Sequence, residues 1–319
     1  MVPVVSSPLT DGLGFGAVVS GLQRSELADP DVRQQLRDLW IDRGVVVFRG
    51  LPDDTDTQIE LSEVFGEPTG HPLRAVLGLD DDREAEKLAN IAADPDTGDI
   101  VVLADGRRLA AWLPWHFDLA YVERINHGGV LRALQLPEEG GQTGFLDGIE
   151  AYQRLPVDLR EEIADLDVVY RFDGDLGGLR YGATPGLVLE RMSTGTRVLM
   201  DRIDRLPPVA HPLVYTQAET GRPVLNFSPW FALGIEGMDQ DDSDRILHRV
   251  AEVMIDERQA YVHEWKPGDM VLWDNWRILH SARGVPQGVA RHMQRTTIAG
   301  DYGHGRSADW VRRDVEPAV

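Results

Sequence analysis

Apolar positions recur along this chain with two periods. Val32, Leu36, Leu39 and Trp40 share one face at helical spacing, behind Asp29-Pro30 and ahead of Gly44, which predicts a capped amphipathic helix. Val45-Val46-Val47-Phe48 follows at once as an unbroken apolar run, the pattern of a buried strand. Residues 56–65 read as a second short helix stopped by Gly66, and residues 156–166 as another. Asp105-Gly106, flanked by Val101-Val102-Leu103-Ala104 and Arg107-Arg108-Leu109, predicts a hairpin, and so does Glu219-Thr220-Gly221 between 213–215 and 224–227. Residues 242–254 give the clearest helix, with Ile246, Leu247, Val250, Val253 and Met254 on one side. Pro267-Gly268-Asp269 turns the chain into the strand Met270-Val271-Leu272-Trp273. Residues 78–99 break the pattern: they are polar and acidic, with Asp80-Asp81-Asp82, and predict a mobile loop.

Many short strands joined by turns, with a few helices and no strict strand–helix alternation, predict a mainly β fold with helical insertions, a sandwich or jelly roll. Length alone, 319 residues, allows two domains, but one β domain with insertions fits as well. No internal repeat divides the chain.

Composition narrows the function. With 32 Lys+Arg against 53 Asp+Glu the formal net charge is −21, which argues against nucleic-acid partners and against an anionic membrane surface. Cysteine is absent, so disulfides, thiolate metal sites and cysteine nucleophiles are excluded, and any metal must rest on His, Asp, Glu or backbone oxygen. Only Lys87 and Lys266 are lysines, so an anion site here is expected to use arginine forks. No apolar stretch approaches the roughly 18 residues of a membrane span, and Met1-Val2-Pro3-Val4-Val5 lacks a charged leader segment. With the missing cysteines, this points to the cytoplasm.

Candidate chemistry begins at Trp115-His116-Phe117-Asp118. On a strand, positions i and i+2 point to one face, so His116 and Asp118 are placed to grip one metal. Alone, such a pair is common. His280, beyond Trp273-Asp274-Asn275, supplies a second imidazole. Two His and one carboxylate make the facial triad of non-haem Fe(II) oxygenases, with open positions for cosubstrate and O2. Arg291 and Arg295 share a face of an extended segment and offer two guanidinium forks for carboxylates.

These residues, with Leu136-Pro137-Glu138-Glu139-Gly140-Gly141-Gln142-Thr143, Ala151 to Pro156 and His292 to Asp301, resemble the Fe(II)/2-oxoglutarate-dependent taurine dioxygenase family. That family includes dichlorophenoxyacetate dioxygenase and related alkylsulfate and phenoxypropionate enzymes. The resemblance runs from about residue 10 to residue 302. It implies a double-stranded β-helix over a single domain, 1–319, with a lid loop at about 74–100. It implies that His116, Asp118 and His280 ligate Fe(II), that Arg291 and Thr143 hold the distal carboxylate of 2-oxoglutarate, and that Arg295 and His71 receive an anionic substrate. It further implies a homo-oligomer, dimer or tetramer, and oxidation of a C–H bond with release of succinate and CO2. Departures from the taurine pattern fall in the substrate pocket: Trp112 replaces an asparagine, Trp230 replaces a glycine ahead of the pocket Phe231, and Arg74 replaces a tyrosine. Aromatic walls suit a substrate body larger than taurine. The alternatives are the same iron site with another outcome, desaturation or cyclisation, or a jelly-roll sensor that binds metal and 2-oxoglutarate without turnover. Asp118 disfavours halogenation, which needs that ligand position vacated.

Overall fold

The Val45–Arg49 strand lies parallel to Ala17–Ser20 on one side and antiparallel to Met270–Asp274 on the other. In the computed structural model, which describes residues 3–70, 88–93, 100–176 and 178–310, it sits inside an eight-stranded sheet. From one edge the order is Ser6–Pro8, Ala17–Ser20, Val45–Arg49, Met270–Asp274, Gly128–Gln135, Arg291–Ile298 and Pro68–Thr69, with Leu88–Ala93 also paired to Arg291–Ile298. A six-stranded sheet runs Val188–Arg191, Val101–Ala104, Arg107–His116, Ile278–Pro286, Thr143–Asp147 and Tyr261–His263. A four-stranded sheet and a two-stranded hairpin complete the β structure. The fold is thus mainly β with some helices.

Both faces of the Val45–Phe48 run are covered, which explains why it does not alternate. Val45 and Val47 join Leu131, Val271, Trp273 and Met293 against Phe145 and Ile278, a cluster that draws on both large sheets. Val46 and Phe48 point the other way, into Val32, Leu36, Trp40, Leu61 and Val64 of the helices Pro30–Arg43 and Thr55–Phe65. The first helix starts where Asp29 accepts the Asp31 N–H at 2.8 Å, and it ends where Gly44, at φ +74°, returns its N–H to Trp40. A side chain at Gly44 would meet Ile278 Cδ1 at 2.8 Å, so the left-handed turn and the tight packing ask for the same residue. The Gln240–Met254 helix buries Ile246, Leu247, Val250 and Met254 as its period requires.

Two expectations change. The hairpin strand expected at 107–109 runs on to His116. The loop expected through 74–100 contains a strand, Leu88–Ala93, whose apolar residues find a partner in Arg291–Thr296; residues 71–87 and 94–99 lie outside the described part. The helix Gly148–Arg154, capped by Asp147, was not expected. Among the described residues no helix is long and apolar enough to cross a membrane.

Candidate active site

Pairing of Arg107–His116 with Ile278–Pro286 sets His116 opposite His280, with ring centroids 4.4 Å apart. The register shifts between His280 and Ala282, which re-aims the end of the first strand. That strand stops at His116, so Asp118 does not share its face by the i, i+2 rule. It lies in the turn that follows, where Leu119 takes φ +62°. Asn275, fully buried, holds that turn: its Oδ1 accepts the Asp118 N–H at 2.8 Å and its Nδ2 donates to the Asp118 carbonyl at 3.0 Å. The carboxylate thereby returns to the imidazoles, with Asp118 Oδ1 at 3.8 Å from His116 Nε2 and 3.7 Å from His280 Nε2. One donor atom from each of His116, Asp118 and His280 falls within 4.8 Å of the others.

The electrostatics suit a cation. His116 Nδ1 lies 2.8 Å from the Pro114 carbonyl, so the ring proton belongs there and the Nε2 lone pair faces Asp118 and His280. Burial, helped by His280, lowers the His116 pKa to about 3, so the imidazole is neutral. Burial alone would raise the Asp118 carboxyl, but Arg295 and then His280 hold it well below the usual carboxylate range. An ionised carboxylate and neutral imidazoles are what metal ligation needs. The donor set, two nitrogens and an oxygen on one side, fits Fe(II).

Arg291 and Arg295 share the strand Arg291–Ile298. Arg295 donates through Nη1 to Asp118 Oδ2 at 2.8 Å, and its Nε is buried with no partner among the described residues. Arg291 is buried, and burial lowers its pKa to about 10. Its Nε donates to the Gly141 carbonyl at 3.0 Å, and among the described residues no carboxylate pairs with it. Gly141, at φ +78°, lets the guanidinium in: a Cβ there would meet Arg291 Cδ at 3.0 Å. Thr143, buried two residues further on, opens the strand Thr143–Asp147, and its hydroxyl accepts the Trp265 indole N–H at 3.1 Å.

An aromatic wall stands against the His116 imidazole. Trp230 stands edge-on to His116 with centroids 5.2 Å apart and stacks on Phe231 at 4.4 Å. Phe231 in turn meets Tyr121 at 4.7 Å and Phe172 at 6.1 Å. Trp112 packs in the same apolar cluster as Trp230, with Val102, Ala104 and Leu176. The structure therefore brings together His116, Asp118, His280, Arg295 and Phe231, and Trp112 shares an apolar cluster with Trp230. His71 and Arg74 lie outside the described residues. Sequence reasoning missed Asn275 as the holder of the Asp118 turn, and Tyr121 and Phe172 as part of the wall. Asn275 adjoins a strand that the sequence does reveal, but no local pattern indicates a partner so far along the chain.

Comparison with known proteins follows the same line. A 2,4-dichlorophenoxyacetate dioxygenase dependent on alpha-ketoglutarate, from Burkholderia sp. (strain RASC), is 30% identical over 264 residues, covering 81% of this chain and 82% of that protein. An alkylsulfatase of Acinetobacter baylyi is 27% identical over 294 residues, covering 91% and 84%. The crystal structure of a taurine dioxygenase from Burkholderia xenovorans superposes with a TM-score of 0.67 at 24% identity, over 96% of this chain and 97% of that one. The taurine catabolism dioxygenase TauD, TfdA family matches residues 6–297, and the chain belongs to that family of 2-oxoglutarate-dependent non-haem iron dioxygenases.

Proposed function

We propose that this protein hydroxylates a C–H bond of a small anionic substrate, a carboxylate, sulfonate or sulfate ester, using Fe(II), 2-oxoglutarate and O2 and releasing succinate and CO2. The scaffold in this reading is one double-stranded β-helix domain. His116, Asp118 and His280 hold the iron, Arg291 and Thr143 hold the distal carboxylate of 2-oxoglutarate, and Arg295 with His71 receives the substrate anion beside Trp112 and Phe231. The observation that carries the reading is the pairing of a metal-competent triad with a buried arginine that lacks a carboxylate partner among the described residues. A buried guanidinium without a counter-ion is costly, and a dicarboxylate cosubstrate would supply one.

Bound iron supplies the redox chemistry with O2. The chain's own residues do the rest. Neutral His116 and ionised Asp118 present lone pairs without first losing a proton. Arg291 orients the cosubstrate by a charge-assisted contact. Arg295 has N–H donors beyond the one given to Asp118, which suits an anionic head placed near the metal. Trp230, Phe231, Tyr121 and Phe172 keep water from that side and offer flat apolar surface to the substrate body. The phenoxyacetate and alkyl sulfate that give the relatives their names are anions with an apolar body, in line with such a wall.

Aerobic assay with Fe(II) and 2-oxoglutarate against a panel of carboxylates, sulfonates and sulfate esters, scored by succinate release, tests the proposal. The expected result is faster turnover with anions that carry an aromatic or long apolar body. Taurine as clearly the best substrate would sink the reading of the pocket, and no O2-dependent succinate with any compound would sink the enzyme reading. A separate expectation concerns the cosubstrate. Arg291→Gln raises the KM for 2-oxoglutarate roughly 10- to 100-fold, the weight of a charge-assisted hydrogen bond. An unchanged KM removes Arg291 from the cosubstrate site.

A further inference from the structure

The hydroxyl of Thr143 has a partner whose chemistry decides where its proton points. An indole N–H donates and cannot accept. Trp265 Nε1 lies 3.1 Å from Thr143 Oγ1, so the threonine oxygen is the acceptor and its own proton must point elsewhere. No other hydrogen bond of this hydroxyl is found among the described residues, and Thr143 is only 5% exposed. Nearby, where Gly141 meets Arg291, the guanidinium again presents only donors. Threonine O–H and arginine N–H groups without an acceptor make a site for an oxyanion.

Trp265 is itself held. The ring of His263 meets it edge to face, with centroids 4.6 Å apart at 89°. His263 is fully buried, with Nδ1 2.9 Å from the Tyr261 hydroxyl and Nε2 3.2 Å from Asp269 Oδ2. Asp269 in turn accepts from Arg49 Nε at 3.0 Å. His263 also stands opposite Thr143 in the pairing of Tyr261–His263 with Thr143–Asp147. The indole therefore approaches the threonine from a backing of ordered groups.

We propose that Trp265 is a positioning residue for the cosubstrate: by donating to Thr143 it fixes the hydroxyl rotor so that the proton is offered to the distal carboxylate of 2-oxoglutarate. The proposal rests on the reading of Thr143 and Arg291 as the cosubstrate clamp. Without the indole N–H, the threonine proton is free to turn away, and part of the binding energy of the carboxylate is lost in holding it.

The test is a double-mutant cycle on 2-oxoglutarate affinity, measured by calorimetric titration into Mn(II)-loaded protein and as KM in the Fe(II) enzyme. Trp265→Phe keeps a ring and removes the donor. It raises the dissociation constant about 3- to 10-fold, the weight of one neutral hydrogen bond, with kcat at saturating 2-oxoglutarate little changed. Thr143→Ala raises it as well, and in that background Trp265→Phe adds nothing, because no rotor is left to fix. If both single substitutions weaken binding and their effects multiply, Trp265 acts through packing and the proposal is overturned. It is overturned also if Thr143→Ala weakens binding and Trp265→Phe does not. If Thr143→Ala has no effect, the cosubstrate reading of Thr143 fails first and the proposal falls with it. Should Trp265→Phe fail to fold, benzothienylalanine at position 265, which replaces the N–H by sulfur at nearly constant shape, runs the same cycle.

Discussion

His116→Ala binds metal on the order of 100- to 1,000-fold more weakly than the parent protein, since one of the three proposed ligands has gone and each would carry a large share of the binding free energy. O2-dependent succinate release falls with it to background. Titration with Co(II), followed by calorimetry and by the visible ligand-field bands, reads the first effect without any need for turnover. The parent protein starts from an advantage that the variant loses: burial keeps the His116 imidazole neutral, with a pKa of about 3, so protons do not compete for Nε2 near neutral pH. The linked consequence for stability has a definite sign. An unfolded histidine titrates near 6.5, so below that pH the unfolded chain binds a proton that folded His116 refuses. Its contribution is present above 6.5 and is lost as pH falls toward 3. His116→Ala therefore flattens the acid side of the stability curve of the metal-free protein. Added Co(II) raises the melting temperature of the parent and leaves that of the variant almost unmoved. Saturable binding of unchanged strength in the variant would remove His116 from the metal centre.

What could be read from the chain and what could not divide along the range of the interactions. Asp29 and Gly44 mark the two ends of one helix because a cap is a local affair: the side chain or the N–H reaches only a few residues. Asp105-Gly106 marks its hairpin for the same reason, both residues taking the positive φ that such a turn demands. The two histidines and Asp118 stand out by residue type, yet the reason they meet was misread. A strand rule suggested that His116 and Asp118 share a face, whereas the strand ends at His116 and Asn275, 157 residues away in sequence, holds the turn. The partner of Arg295 shows the same limit: Asp274 and Asp301 are near in sequence, but the structure brings Asp118 across 177 residues. Leu88–Ala93 is hidden by the acidic residues around it and becomes a strand because Arg291–Ile298 offers an edge to pair with. Residue chemistry thus announces the site, and only tertiary pairing shows how it is held.

Arg277→Met lowers the stability of the fold by about 3–5 kcal/mol, the usual cost of removing one partner of a buried ion pair. The sequence shows only an arginine two residues beyond Asn275. In the fold it is 2% exposed and meets Asp147, also buried, through Nε at 2.9 Å from Oδ1 and through Nη2 to Oδ2. Burial would lower the Arg277 pKa, but Asp147 raises it further, so the charge stays. Nη1 meanwhile donates to the carbonyls of Ile41 and Asp42 at 3.0 and 2.9 Å, closing the end of the Pro30–Arg43 helix. Asp147 caps the Gly148–Arg154 helix by accepting the Ile149 N–H at 2.8 Å. One guanidinium thus joins a helix end, the end of the Thr143–Asp147 strand and, one residue on, the start of the strand that carries His280. Methionine fills much of the volume but strands the buried Asp147 carboxylate without its guanidinium, while the Ile41 and Asp42 carbonyls keep their bonds from Arg222. Urea denaturation of the metal-free protein measures the loss, and the double variant Arg277→Met/Asp147→Leu separates its causes. If most of the cost is the stranded charge, the second substitution recovers part of it despite the lost cap, since both buried charges have then been replaced by apolar groups. A loss below about 1 kcal/mol for Arg277→Met alone is the value of a water-exposed pair, and it would mean that solvent reaches Asp147 and that the junction is not sealed.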